Sequence, residues 1–192
     1  MKPACPKPAL GRGSRRILPL DLRLWAFLPF LLLALGQVFP QAGARYAYSD
    51  GTLQELRPTE EGFRLRYLRQ GKVFREDRLK KTPEGLYLLG VGLPEGYFAF
   101  EPPLLLYPER LDLGTAWGGS ARFRGQRVAL SARVEGLEGV RVKAGAFNAF
   151  RVRVAYTTEK GGTDLKELFL VPGLGVVAYR AGETWVELLR LP

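Results

Sequence analysis

Apolar and polar positions alternate with a period of two through most of the chain after residue 44. Phe63, Leu65 and Tyr67 alternate with Arg64 and Arg66. Val128, Leu130, Ala132 and Val134 alternate with Arg127, Ala129, Ser131 and Arg133. Phe150, Val152, Val154 and Tyr156 alternate with Arg151 and Arg153, and Thr184, Val186 and Leu188 with Trp185, Glu187 and Leu189. Successive side chains on a strand point to opposite faces, so the pattern predicts half-buried strands. Turn signals such as Glu61-Gly62, Gln70-Gly71, Arg124-Gly125, Gly161-Gly162 and Pro172-Gly173 punctuate the runs, at a spacing of roughly ten to fifteen residues that suits antiparallel all-β chains. The pattern predicts strands over 45–49, 52–57, 63–69, 72–80, 86–91, 97–101, 120–124, 127–134, 139–143, 149–157, 164–171, 175–180 and 184–190. No long window has a helical period, so the expected class is all-β with at most one or two short helices.

Two stretches complicate the pattern. Residues 101–108 pack three prolines around four apolar residues. Proline cannot donate to a strand ladder, so this segment is expected to be an apolar connection crossing the sheet, or a short helical piece. Residues 140–156 place Arg or Lys beside Val. The alternation assigns Val140, Val142, Val152 and Val154 to one face with Phe150 and Tyr156, and Arg141, Lys143, Arg151 and Arg153 to the other. Phe147 falls off this parity, so a bulge is expected within 144–149.

The first 44 residues follow a different rule. Lys2, Lys7, Arg12, Arg15, Arg16 and Arg23 precede an apolar run at 24–36. That run is too short to span a bilayer comfortably and contains Pro29. It matches a signal peptide instead: a basic region over 1–23, an apolar region over 24–39, and an Ala42-Gly43-Ala44 cleavage site. An uncleaved N-terminal anchor is the alternative. Ser14-Arg15-Arg16 resembles a twin-arginine start, but Pro19 and Asp21 break the match, and an ordinary secretory leader fits better. The expected location is exported: periplasm, cell envelope or extracellular. The membrane is then met only through the N-terminal segment, and residues 45–192 form one β-rich domain.

Export changes the meaning of the charge. The chain carries 29 cations and 19 acids, for a net +10, and the leader holds six of those cations and one acid. The remainder is +5, spread along the chain, which argues against a nucleic-acid groove. The single cysteine, Cys5, lies in the leader and there is no histidine. Disulfides, an imidazole base, a thiol nucleophile and a usual zinc site are therefore not expected in residues 45–192. The carboxylates do not form a promising pair. Arg75-Glu76-Asp77-Arg78 looks like a solvated charged face, and Asp164 and Glu167 fall on opposite faces of a strand. Gly90-x-Gly92-x-x-x-Gly96 lacks the helix that a dinucleotide fingerprint requires. The protein is accordingly expected to be no enzyme and to need no cofactor or metal. Few thermolabile residues and 14 prolines suit a heat-adapted source, and GC-rich coding gives a similar bias.

One string of turns resembles a known group. Val140-x-Val142-x-x-Gly145-x-Phe147-x-Ala149-Phe150-x-Val152 and Leu170-x-Pro172-Gly173-x-Gly175-x-Val177 are similar to turns of uncharacterised exported bacterial proteins of the LolA-like and DUF3108-like kind. Tyr107-Pro108 and Leu113-Gly114-Thr115-x-Trp117 fit the group's upstream element. Lys143-Ala144 departs from it, standing where Pro-Ala is usual. The resemblance implies a single curved antiparallel sheet, an incomplete barrel with an apolar concave face. It also implies an apolar ligand such as a lipid or acyl chain on that face, and Phe63, Leu65, Tyr67, Phe98, Phe100, Leu105, Phe150, Val152, Val154 and Tyr156 are the candidate lining. The competing expectation is a structural or protein-interaction module of the envelope, with a filled core, no ligand and a protein partner.

Overall fold

The computed structural model describes residues 43–191, so the expected leader, including Ala42, lies outside the described residues apart from Gly43 and Ala44. Twelve strands follow in order: β1 (Arg45–Tyr48), β2 (Leu53–Thr59), β3 (Gly62–Arg69), β4 (Lys72–Thr82), β5 (Gly85–Leu93), β6 (Gly96–Pro108), β7 (Ala116–Phe123), β8 (Gln126–Val142), β9 (Gly145–Thr158), β10 (Thr163–Val171), β11 (Gly175–Ala181) and β12 (Thr184–Arg190). No helix occurs among the described residues. Each strand pairs antiparallel with its chain neighbours, and β1 pairs with β12, so the sheet closes into a barrel. The expectation of an incomplete barrel is thereby corrected. Closure comes from Ala47 opposite Arg190 and Tyr48 opposite Leu188.

The closure has a second thin place. Between β6 and β7 a single registered pair, Glu101 with Arg122, holds the ladder. Proline explains the sparseness. Pro102 and Pro103 lie within β6, where the register against β5 also jumps from Ala99 to Leu104. The prolines therefore occupy a gap in both ladders, and residues 101–108 belong to a strand rather than to the expected connection or helical piece. Side chains bridge the seam instead: Phe100 stacks on Phe123 at 4.5 Å, and Trp117 Nε1 donates to the Leu106 carbonyl at 2.8 Å.

Two hairpin turns show why the chain reverses where it does. Gln70-Gly71 and Arg124-Gly125 each place two successive residues at positive φ (49° and 75°, 51° and 77°). Such two-residue turns match the twist of the strands that they join.

The β8–β9 hairpin is the longest, and a bulge divides it. Val134 opposes Val152, but Gly136 opposes Arg151, so Glu135 is extra. Beyond this point the buried face is the other one. Val140 opposes Phe147 and Val142 opposes Gly145, so neither valine shares the face of Phe150 and Val152. The expected register shift therefore exists, but at Val134/Gly136 rather than within 144–149. The distal part builds its own core, with Val140, Val142 and Ala149 against Tyr46, Tyr48, Phe169, Val186 and Leu188. Its tip reaches β12, where Ala144 N donates to the Leu188 carbonyl at 3.0 Å.

Candidate functional site

Paired residues share a face, so the register carries one face around the whole barrel. Leu56 opposes Leu65, Leu65 opposes Asp77, Asp77 opposes Val91 and Val91 opposes Phe98. On the other half, Ala121 opposes Val128, while Leu130 opposes Tyr156 and Val134 opposes Val152. These are the positions of two of the three apolar clusters, which meet at Tyr107. This is the inner face.

Of the ten residues expected to line a cavity, nine fall on this face by register: Phe63, Leu65, Tyr67, Phe98, Phe100, Phe150, Val152, Val154 and Tyr156. Leu105 does not, because it opposes Tyr87 while its neighbour Leu104 opposes Leu88 on the inner face. The nine do not form one uniform lining. Val152 is fully buried, and Phe100, Phe150 and Val154 are close to it. Phe63, Leu65, Tyr67, Phe98 and Tyr156 point inward yet are only half buried.

The inner face also holds a group that the alternation did not anticipate. Tyr67 opposes Arg75 and Leu65 opposes Asp77, so Arg75 and Asp77 point into the barrel while Glu76 and Arg78 point out. The charged run is split between two faces. Arg75 Nε donates to Asp77 Oδ1 at 2.6 Å and Arg75 Nη2 to Oδ2 at 3.0 Å. The Tyr67 hydroxyl donates to Oδ2 at 3.0 Å, and the Arg75 guanidinium stands 5.1 Å from the Tyr67 ring centroid. The Asp77 side chain is 4% accessible, whereas that of Arg75 is 41% accessible. Arg75 therefore keeps open surface although it lies on the inner face.

Three tyrosines share this environment. Burial pushes the Tyr156 phenol up to about 12, with the Arg75 charge opposing the shift. Burial also raises Tyr107, with Tyr156 and Asp77 adding to the effect, and holds Tyr67 well above the ordinary phenol value, with the Asp77 charge adding to it. The phenols therefore remain protonated donors. Arg75 itself is held more basic than usual: the surrounding protein disfavours its charge, but Tyr67 and Asp77 outweigh that. A neighbouring pair shows the same balance of charge. Lys166 Nζ sits 2.8 Å from Asp164 Oδ2, on residues opposite Val154 and Tyr156.

The outer wall is ionic. Glu55 is buried beneath Arg45, Arg57 and Arg66, Glu76 lies near Arg64 at 3.5 Å, and Arg151 reaches Glu138 at 3.3 Å. Arginine on a hydrocarbon-facing barrel wall costs about 2–4 kcal/mol at mid-membrane, so this wall is built for water. A cleft of about 490 Å³ opens at the β2–β3 turn, lined by Thr59, Glu60, Glu61, Phe63, Arg64, Arg78, Leu79 and Leu89. Its polar rim sets it apart from the inner group. Among the described residues, no cluster of three or more Asp, Glu, His or Cys could hold a metal.

The expected cleavage residue Ala44 is already tied into the sheet. Leu56 N donates to its carbonyl at 3.0 Å, and Gly43 N donates to the Leu56 carbonyl at 2.8 Å.

No known family model matches the chain, and no curated protein is similar to it in sequence. Two solved structures are similar to it. One is a candidate lipoprotein of Parabacteroides distasonis, 14% identical, with a TM-score of 0.45 over 82% of this chain and 99% of that one. The other is a candidate exported protein with a YmcC-like fold from Bacteroides fragilis, 14% identical, with a TM-score of 0.40 and the same coverage.

Proposed function

We propose that this is an exported, non-enzymatic envelope protein whose barrel takes up an amphiphilic ligand, a lipid or acyl chain, in its interior. Export rests on the basic segment, short apolar run and Ala42-Gly43-Ala44 site of residues 1–44. Processing after Ala44 precedes folding, because the segment around that bond pairs with Leu56 once β1 and β2 form. The observation that supports ligand binding best is the 41% accessibility of the inward Arg75 side chain, beside aromatic side chains that are inward and half buried. Small-molecule sites combine apolar walls with a few fixed polar groups, and this interior has both. A wholly apolar ligand is a poorer match than one with a polar end, since Arg75, Asp77 and the phenols would be left facing hydrocarbon. Among the described residues, the one buried inner carboxylate, Asp77, is engaged by Arg75 and Tyr67, which supports a binding rather than a catalytic role for this group.

Native mass spectrometry of the protein purified from its own host tests this reading. A population heavier than the processed polypeptide, reduced to it by organic extraction, is the expected result. A single species at the polypeptide mass that takes up no lipid from host extract would contradict it and favour the interaction module with a filled core.

A further inference from the structure

Building on that reading, we infer that the group around Arg75 is a head-group subsite selecting an uncharged, acceptor-bearing end such as an ester carbonyl, rather than a carboxylate or a bare hydrocarbon. The argument is one of counting donors and charges. Arg75 commits Nε and Nη2 to Asp77, and Nη1 has no hydrogen-bond partner among the described residues. The hydroxyls of Tyr107 and Tyr156 likewise have none. Both rings are on the inner face, and Tyr156 lies within electrostatic reach of Arg75 and Asp77. Three donors are therefore uncommitted, while both Asp77 oxygens are already taken. The subsite has donors to give and few acceptors to offer, so it fits an acceptor.

Charge decides which acceptor. Arg75 is matched by Asp77 at 2.6 Å, and the nearby Lys166 by Asp164 at 2.8 Å. A carboxylate would enter a site with no net positive charge and aromatic walls, and it would pay desolvation without a counter-ion. An ester or amide carbonyl accepts the same hydrogen bonds without that penalty. The chain behind it would lie against Leu65, Phe98, Val154 and Leu168, all on the inner face.

The test is displacement of N-phenyl-1-naphthylamine, followed by fluorescence at pH 8. Methyl dodecanoate, dodecanoate and dodecane compete against wild type and a Tyr107→Phe/Tyr156→Phe variant, which keeps the ring volumes. Methyl dodecanoate is expected to displace the probe from wild type at least about tenfold more effectively than either competitor, the size of one or two hydrogen bonds to charged or desolvated groups. In the variant its advantage over dodecane should fall below about threefold, with dodecane itself unchanged. Equal displacement by all three in wild type overturns the head-group inference and leaves an apolar cavity. Strongest displacement by dodecanoate also overturns it, in favour of an anion site. No uptake of probe and no displacement overturns both the inference and the ligand-binding reading.

Discussion

Arg75 and Asp77 stand two residues apart on β4, and both point into the barrel, where Arg75 Nε meets Asp77 Oδ1 at 2.6 Å. Alternation along a strand requires that i and i+2 share a face, and here the register turns that face inward. It converts two costly charges into one neutral, geometrically fixed unit. Each partner is needed by the other more than either is needed by the fold. Asp77→Asn, which leaves Arg75 without its counter-charge, should lower the unfolding free energy by about 1–3 kcal/mol in a urea titration. The Arg75→Met/Asp77→Leu double variant should lose less than the two single variants summed, because no charge is left alone. Additive losses would mean that the pair does not interact.

The tyrosines give the barrel an alkaline limit. Tyr46 and Tyr156 are both raised from the ordinary 10.0 to about 12, burial being the leading cause. They hold their protons more tightly folded than unfolded. Their contribution to stability is complete below pH 10 and is lost as pH rises through about 12. Absorbance at 295 nm should show a late group of phenols whose ionisation coincides with loss of the β-sheet circular dichroism signal. Titration of every phenol near pH 10 with the sheet intact would contradict the burial described above.

The bulge at Val134/Gly136 can be tested by two residues three apart. Leu137 is 55% exposed and Val140 is 8% exposed. Leu137→Ser should change stability by no more than about 0.5 kcal/mol, whereas Val140→Ala should cost about 1–2 kcal/mol by opening space beside Tyr46 and Leu188. The reverse order would mean that the distal hairpin presents its other face to the core.

Turn chemistry offers a gain rather than a loss. Gln70 occupies a left-handed conformation, φ 49°, before Gly71, a position where asparagine is at less cost than a longer side chain. Gln70→Asn should stabilise the protein by about 0.5–1 kcal/mol, read as a higher urea midpoint at constant slope.

Most strands were legible because their alternation and turn residues act locally. Phe150, Val152, Val154 and Tyr156 fall on the inner face as their period demands. What escaped depends on register. A regular hairpin through Gln70-Gly71 would set Tyr67 opposite Phe74 and Leu65 opposite Glu76. The irregularity between Tyr67 and Leu68 moves Arg75 and Asp77 into those places. Nothing in Arg75-Glu76-Asp77-Arg78 marks which charges turn inward, since both parities carry one cation and one acid. The same holds for Val140 and Val142, whose face is set by the extra residue Glu135. The prolines of β6 misled for a related reason: Pro102 and Pro103 lie where neither ladder asks for a donor, a vacancy visible only once the neighbours are placed. Leu105 lies in the same Pro-rich stretch, and the shift in β5–β6 register sets it opposite Tyr87 rather than on the face of Leu104.

The most direct measurement of an open, ligand-holding interior uses the chain's cysteine economy. Its one thiol, Cys5, leaves with the leader, so single cysteines placed inward at Leu65→Cys and outward at Arg64→Cys are each the sole thiol of the processed chain. Alkylation by iodoacetamide is followed in the folded protein with and without N-phenyl-1-naphthylamine. The account predicts that both thiols react in the native state and that the probe slows only the inward one, by about tenfold. An inward thiol that stays unreactive until the protein is unfolded, or that reacts at the same rate with probe present, would contradict it.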